Sequence, residues 1–148
     1  MKSLTPVLRA VGRHGHYIAW TIALLAAAIS LYFSDVLHWA PCVLCWYTRI
    51  LMYPLIAIIG VGILRREWQW VYYVIPLAII GQLLTLYHSL LQWGIIPETV
   101  APCVSGVPCT TKYLDLFGFM TIPFLGFVAF AGINVCLYLY WKEMKRVA

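Results

Sequence analysis

The chain of 148 residues is 64% apolar and 10% charged, with ten Lys and Arg against five Asp and Glu for a net charge of +5. Soluble domains carry roughly 25% charged residues, so this composition, with a mean hydropathy of +0.88, excludes disorder, a coiled coil and a nucleic-acid-binding domain. So few charges cannot cover a water-soluble globule, and the length predicts one domain.

Four segments reach the roughly 20 apolar residues that a bilayer-spanning helix needs. The first predicted span runs from about residue 17 to 33. Its apolar run exceeds that of a signal peptide, and no small-residue cleavage site follows it, so it reads as a retained helix. A loop over about 34–42 leads to the second span, about 43–64. At their junction stands Cys42-Val43-Leu44-Cys45. Two cysteines separated by two residues close a small disulfide ring suited to thiol exchange. A structural staple or half of a zinc site is the plainer alternative. Pro41 precedes the pair and fits the first turn of a helix, whose free N–H groups favour a thiolate.

Arg49 follows inside the second span. A charge there is costly and marks a functional candidate, unless the side chain snorkels to the interface. At about 100° per residue, Cys42, Cys45 and Arg49 fall within about 60° of one another. One helix stripe thus carries a dithiol with a fixed cation a turn deeper. Tyr47 and Tyr53, like Tyr87 further on, read as packing or interfacial residues.

The third span, about 70–91, carries His88, which shares a face with Gln92 at i, i+4. A second loop, about 92–118, holds Cys103 and Cys109 around Val-Ser-Gly-Val-Pro. Gly106 and Pro108 permit a tight turn, so a disulfide between the two cysteines is geometrically feasible, as a staple or as a second exchanging pair. The fourth span, about 119–141, contains Cys136, a lone thiol that reads as a small core residue. Pro54, Pro76 and Pro123 are tolerated in a membrane bundle, and tryptophans cluster near the span ends as an aromatic belt requires.

Eight of the ten bases (Lys2, Arg9, Arg13, Arg65, Arg66, Lys142, Lys145 and Arg146) lie before the first span, between the second and third, or after the fourth. The positive-inside rule places both termini in the cytoplasm and the two cysteine-bearing loops outside, where disulfides persist. The acids Asp35, Glu98 and Asp115 fall on the outer side. The predicted fold is all-α, an integral membrane four-helix bundle.

These motifs resemble those of the DsbB disulfide bond formation family: Cys42-x-Leu44-Cys45-x-x-x-Arg49 opening the second helix, His88-x-x-Leu91-Gln92 closing the third, and Leu116-Phe117-Gly118-x-x-x-x-Pro123 entering the fourth. The likeness covers nearly the whole chain. The close spacing of Cys103 and Cys109 resembles the short BdbC-like branch of Bacillus-type bacteria. The resemblance implies a membrane thiol:quinone oxidoreductase that reoxidises an extracytoplasmic thioredoxin-like thiol oxidase. It implies that a Cys103–Cys109 pair takes electrons from the partner, with Cys103 forming the mixed disulfide. Cys109 and Cys42 would relay them, and Cys45 would deliver them to a membrane quinone near Arg49, His88 and Gln92. Lineage favours menaquinone over ubiquinone, and no metal is implied. A vitamin-K-epoxide-reductase-like protein would carry its CxxC after the loop cysteines. A four-helix transporter would want an intramembrane carboxylate, and a structural subunit with stapling disulfides is the remaining rival.

Overall fold

The computed structural model describes residues 4–97, 107–114 and 119–147; Lys2, Glu98, Pro102, Cys103, Gly106, Asp115 and the Leu116-Phe117-Gly118 motif lie outside the described residues. Among the described residues four α-helices make up the bundle: α1 (Leu4–Leu31), α2 (Val43–Arg65), α3 (Val71–Gln92) and α4 (Ile122–Val147). All four contain a stretch long and apolar enough to cross a membrane. α1 begins well before Tyr17 and runs into a π-helical turn over Tyr32–Val36 that apolar periodicity does not reveal.

Each helix buries one narrow stripe. Ala19, Ala23 and Ala27 of α1 recur at every fourth residue. They meet Met52, Leu55 and Ile59 of α2, Val71, Val74 and Ala78 of α3, and Phe130, Ile133 and Leu137 of α4 in a single apolar core. The opposite faces are also apolar: Leu25, Ile50, Leu83 and Val135 are all more than half exposed. That inversion suits a lipid solvent, which satisfies no backbone group and so favours helices that bond their own.

Close approach in lipid depends on small residues. A Cβ on Gly15 of α1 would collide with the carbonyl of Cys136 in α4, and one on Gly81 of α3 would enter the ring of Phe130. Asn134 donates to Gln82 Oε1 at 2.8 Å, a polar tie between α4 and α3 inside the bilayer. Cys136 belongs to the apolar core. α2 ends where Arg66 takes a left-handed conformation (φ 55°), which turns the chain tightly toward α3. The site is built at the other end of the bundle. There a second, smaller core gathers Cys42, Leu44, Leu91 and Cys109, with Cys45, Leu84 and Tyr87 packed against it.

Candidate active site

Cys42 is the N-cap of α2, with an extended backbone (φ −73°, ψ 173°). Its Sγ accepts from the Cys45 N–H at 3.4 Å, satisfying one of the free donors of the first turn. Pro41, expected in that first turn, instead precedes the cap, because the sulfur of Cys42 supplies the acceptor that a cap position needs. Cys42 and Cys45 are free thiols whose sulfurs lie 3.0 Å apart in hydrogen-bond contact.

His88 Nε2 lies 3.7 Å from Cys42 Sγ and 3.1 Å from the Cys109 carbonyl. A carbonyl only accepts, so the proton sits on Nε2 and faces both. The Cys42 pKa falls to about 4: the hydrogen bond from Cys45 lowers it most, burial opposes, and the His88 contact and the Cys45 N–H add to the lowering. Above that pH Cys42 is a thiolate. The sulfurs of Cys42 and Cys45 and a nitrogen of His88 also fall within 4.8 Å of one another, as a metal-ligand set would. Ligation by Nε2 would require its lone pair, which the bond to the Cys109 carbonyl denies.

Gln92 shares the face of His88 and converges with it on the same carbonyl. Its Nε2 donates to Cys109 O at 3.4 Å and to Thr111 O at 3.1 Å. Gln92 thus grips the loop backbone and lies outside the lining of the larger cavity described next. Cys109 is buried and disulfide-bonded. Cys103, its expected partner, lies outside the described residues.

Beneath the dithiol is a cavity of about 390 Å³ lined by all four helices and by the α1–α2 and α3–α4 connections. This lies within the ~300–1,000 Å³ of small-molecule sites. Cys45, Arg49 and His88 line it, whereas Cys42 does not. The CxxC is therefore two-faced: Cys42 packs with Cys109 and stays out of the cavity, while Cys45 touches that small core and also lines the cavity. Arg49 is buried and its described partners are neutral. Nε donates to Ser30 Oγ at 2.9 Å, a terminal nitrogen donates to Ser30 O at 2.7 Å, and the guanidinium stands 5.5 Å from the Trp46 ring. The arginine is held inside the bundle, not snorkelled out. Among the described residues the cavity presents one cation, Arg49, set in apolar and aromatic walls that include Phe33, Trp39, Tyr53 and Met52. Such a site fits a flat, uncharged ring bearing an oxygen that gains negative charge.

Sequence reasoning missed several contributors. Ser30 is a serine in an apolar helix, and only the fold shows that it anchors Arg49. Trp39 and Tyr113 come from different loops, and no local pattern joins them. Tyr53, expected to be a packing or interfacial residue, lines the cavity.

The profile of the family described as "Disulfide bond formation protein DsbB" matches residues 13–140. The chain belongs to the DsbB family. Among its relatives, Disulfide bond formation protein C of Bacillus subtilis is 46% identical over 88% of this chain and 94% of that protein. A "Probable disulfide formation protein C 2" of Bacillus anthracis is 44% identical over 87% of this chain and 90% of its own. A "Probable disulfide formation protein C" of Halalkalibacterium halodurans is 43% identical over 84% and 91%. No solved structure matches. As a DsbB-family member with four membrane-crossing helices, the chain is a multi-pass membrane protein of disulfide bond formation, and thiol oxidation is its chemistry. The DsbB family passes electrons to quinones.

Proposed function

We propose that the chain is a thiol:quinone oxidoreductase of the bacterial cell membrane, with both termini cytoplasmic, that reoxidises an extracytoplasmic thioredoxin-like dithiol oxidase. The observation that carries this reading is the two-faced CxxC, with Cys42 packed on Cys109 and Cys45 opening into the Arg49 cavity. The partner's thiolate attacks Cys103 of a Cys103–Cys109 disulfide, and Cys109 leaves as a thiolate. Cys109 then attacks Cys42 of the oxidised CxxC, and Cys45 leaves as a thiolate one turn from Arg49. The partner's second thiol releases Cys103 and departs oxidised. Cys45 takes up a proton released by the partner's dithiol and can then donate to the Cys42 sulfur, so that when Cys103 attacks Cys109 and restores the loop disulfide, Cys42 is expelled as a stabilised thiolate, a good leaving group.

The reduced CxxC now holds the partner's two electrons. A membrane quinone supplies the two-electron sink, leaving as hydroquinone with the two protons of the original dithiol. Arg49 would hold the oxygen that becomes negative, in a low-dielectric site where a fixed cation acts strongly. His88 and Gln92 seat the loop by the Cys109 carbonyl, and His88 also borders the cavity. The Bacillus lineage of its relatives supports menaquinone as the acceptor.

Purified protein given a reduced thioredoxin-like partner and menaquinone should form one hydroquinone per partner disulfide. Arg49→Gln should raise the quinone KM or lower kcat by roughly ten- to a thousandfold, as for loss of a preorganised oxyanion donor. Exchange between the partner and the loop cysteines, measured without quinone, should change little. Partner oxidation that consumes no quinone would overturn the reading.

A further inference from the structure

We propose that the stacked rings of Trp39 and Tyr113 roof the quinone cavity and tie it to the loop that carries Cys109, so that the cavity holds its ring firmly only while that loop is seated. This rests on the quinone reading above and makes Tyr113 and Trp39 positioning residues for that substrate.

The two rings come from separate loops and lie nearly parallel, 5.4 Å apart with an 11° angle between planes. Phe33, in the π-helical turn, extends the row, 5.1 Å from Trp39. The Tyr113 hydroxyl donates to the Ala40 carbonyl at 3.3 Å, a second bond between the loops. All three rings line the cavity that Cys45 and Arg49 share.

The backbone is bent to build this row. His38 takes a left-handed conformation (φ 52°), uncommon outside glycine. The Trp39 N–H then turns back onto the Phe33 carbonyl at 3.1 Å. On the other side, Tyr113 stands four residues after Cys109. The intervening chain is pinned by His88 and Gln92 on the Cys109 carbonyl and by Gln92 on that of Thr111. Seating the redox loop and closing the roof are therefore one movement. Whatever lifts Cys109 away from Cys42 also draws Tyr113 off Trp39. By linkage, a ring bound beneath the roof must in turn hold the loop down, and the two effects are equal in free energy.

The test uses the purified full chain in lipid nanodiscs with a short-tailed menaquinone analogue. Two quantities are read: quinone KM and kcat under turnover, and the rate at which a small thiol reduces the Cys109 disulfide with and without the oxidised analogue, in protein whose CxxC is already oxidised. In the native chain the analogue should slow that reduction. Tyr113→Ala should raise KM about tenfold, equivalent to about 1.4 kcal/mol, with kcat changed far less, and should abolish the slowing. Tyr113→Phe keeps the ring but loses the hydroxyl bond, and should raise KM by only about two- to threefold. Trp39→Leu removes the other half of the stack and should reproduce both changes of Tyr113→Ala, which covers the case in which the alanine variant accumulates poorly. An unchanged KM in Tyr113→Ala and Trp39→Leu, or protection by the analogue that survives both, overturns the roof while leaving the quinone site standing. A native chain that reduces no quinone removes the site and the roof together.

Discussion

Cys42 does two jobs with one sulfur. It caps α2 by accepting from the Cys45 N–H, and it stays ionised because the Cys45 thiol and His88 both face it. Its pKa of about 4 lies far below the ordinary thiol value. The fold favours the thiolate, so the stabilisation this gives the reduced chain is fully present above the unfolded pKa of about 8.5 and is lost as pH falls through about 4. Thiolate ultraviolet absorbance of the reduced chain, taken as the difference from Cys42→Ser, should titrate with a midpoint near 4. His88→Ala should move that midpoint upward, since its hydrogen bond and charge both lower the pKa. A midpoint in the ordinary thiol range would mean that the Cys42–Cys45–His88 contacts do not form in solution.

At the scale of helices, α1 and α4 approach through Gly15, where no room exists for a side chain beside the Cys136 carbonyl. Backbone cannot step aside as a flexible side chain can. Gly15→Val should therefore cost at least the roughly 1–3 kcal/mol of ordinary overpacking, read as a lower thermal midpoint of the purified protein. Cys136→Ala, which trims only the side chain from the apolar core, should cost less. The four helices were legible in the sequence because spans of apolar residues are a composition signal that survives without any knowledge of neighbours. So was the stripe of Cys45 and Arg49, because 100° per residue is a property of one helix. Ser30, Trp39 and Tyr113 were illegible for the converse reason: each acts through a residue on another segment, and no local period encodes that. The swing of Cys42 toward Cys109 also escaped helical arithmetic, because a cap residue does not have helical angles.

The whole molecule has two unlike ends. Arg13, Arg65, Arg66, Lys142, Lys145 and Arg146 gather where α1 and α3 begin and α2 and α4 finish, and the cysteine cluster occupies the other end. A membrane-impermeant maleimide applied to intact, reduced cells should therefore label Cys103 and Cys109 from outside. Labelling only after the cytoplasm is opened would reverse the orientation and remove the proposed partner with it. Between those ends the cavity is not sealed from the sides. Leu25 and Ile29 of α1 and Leu125 and Val128 of α4 line it, and each is more than a third exposed. If the proposed quinone uses this pocket, it would enter from among the acyl chains and arrive by diffusion in two dimensions. On the proposed quinone reading, turnover would be governed by how many acceptor molecules there are per lipid, not per litre of water, and a change in membrane composition would throttle disulfide formation while leaving the amount of this protein untouched.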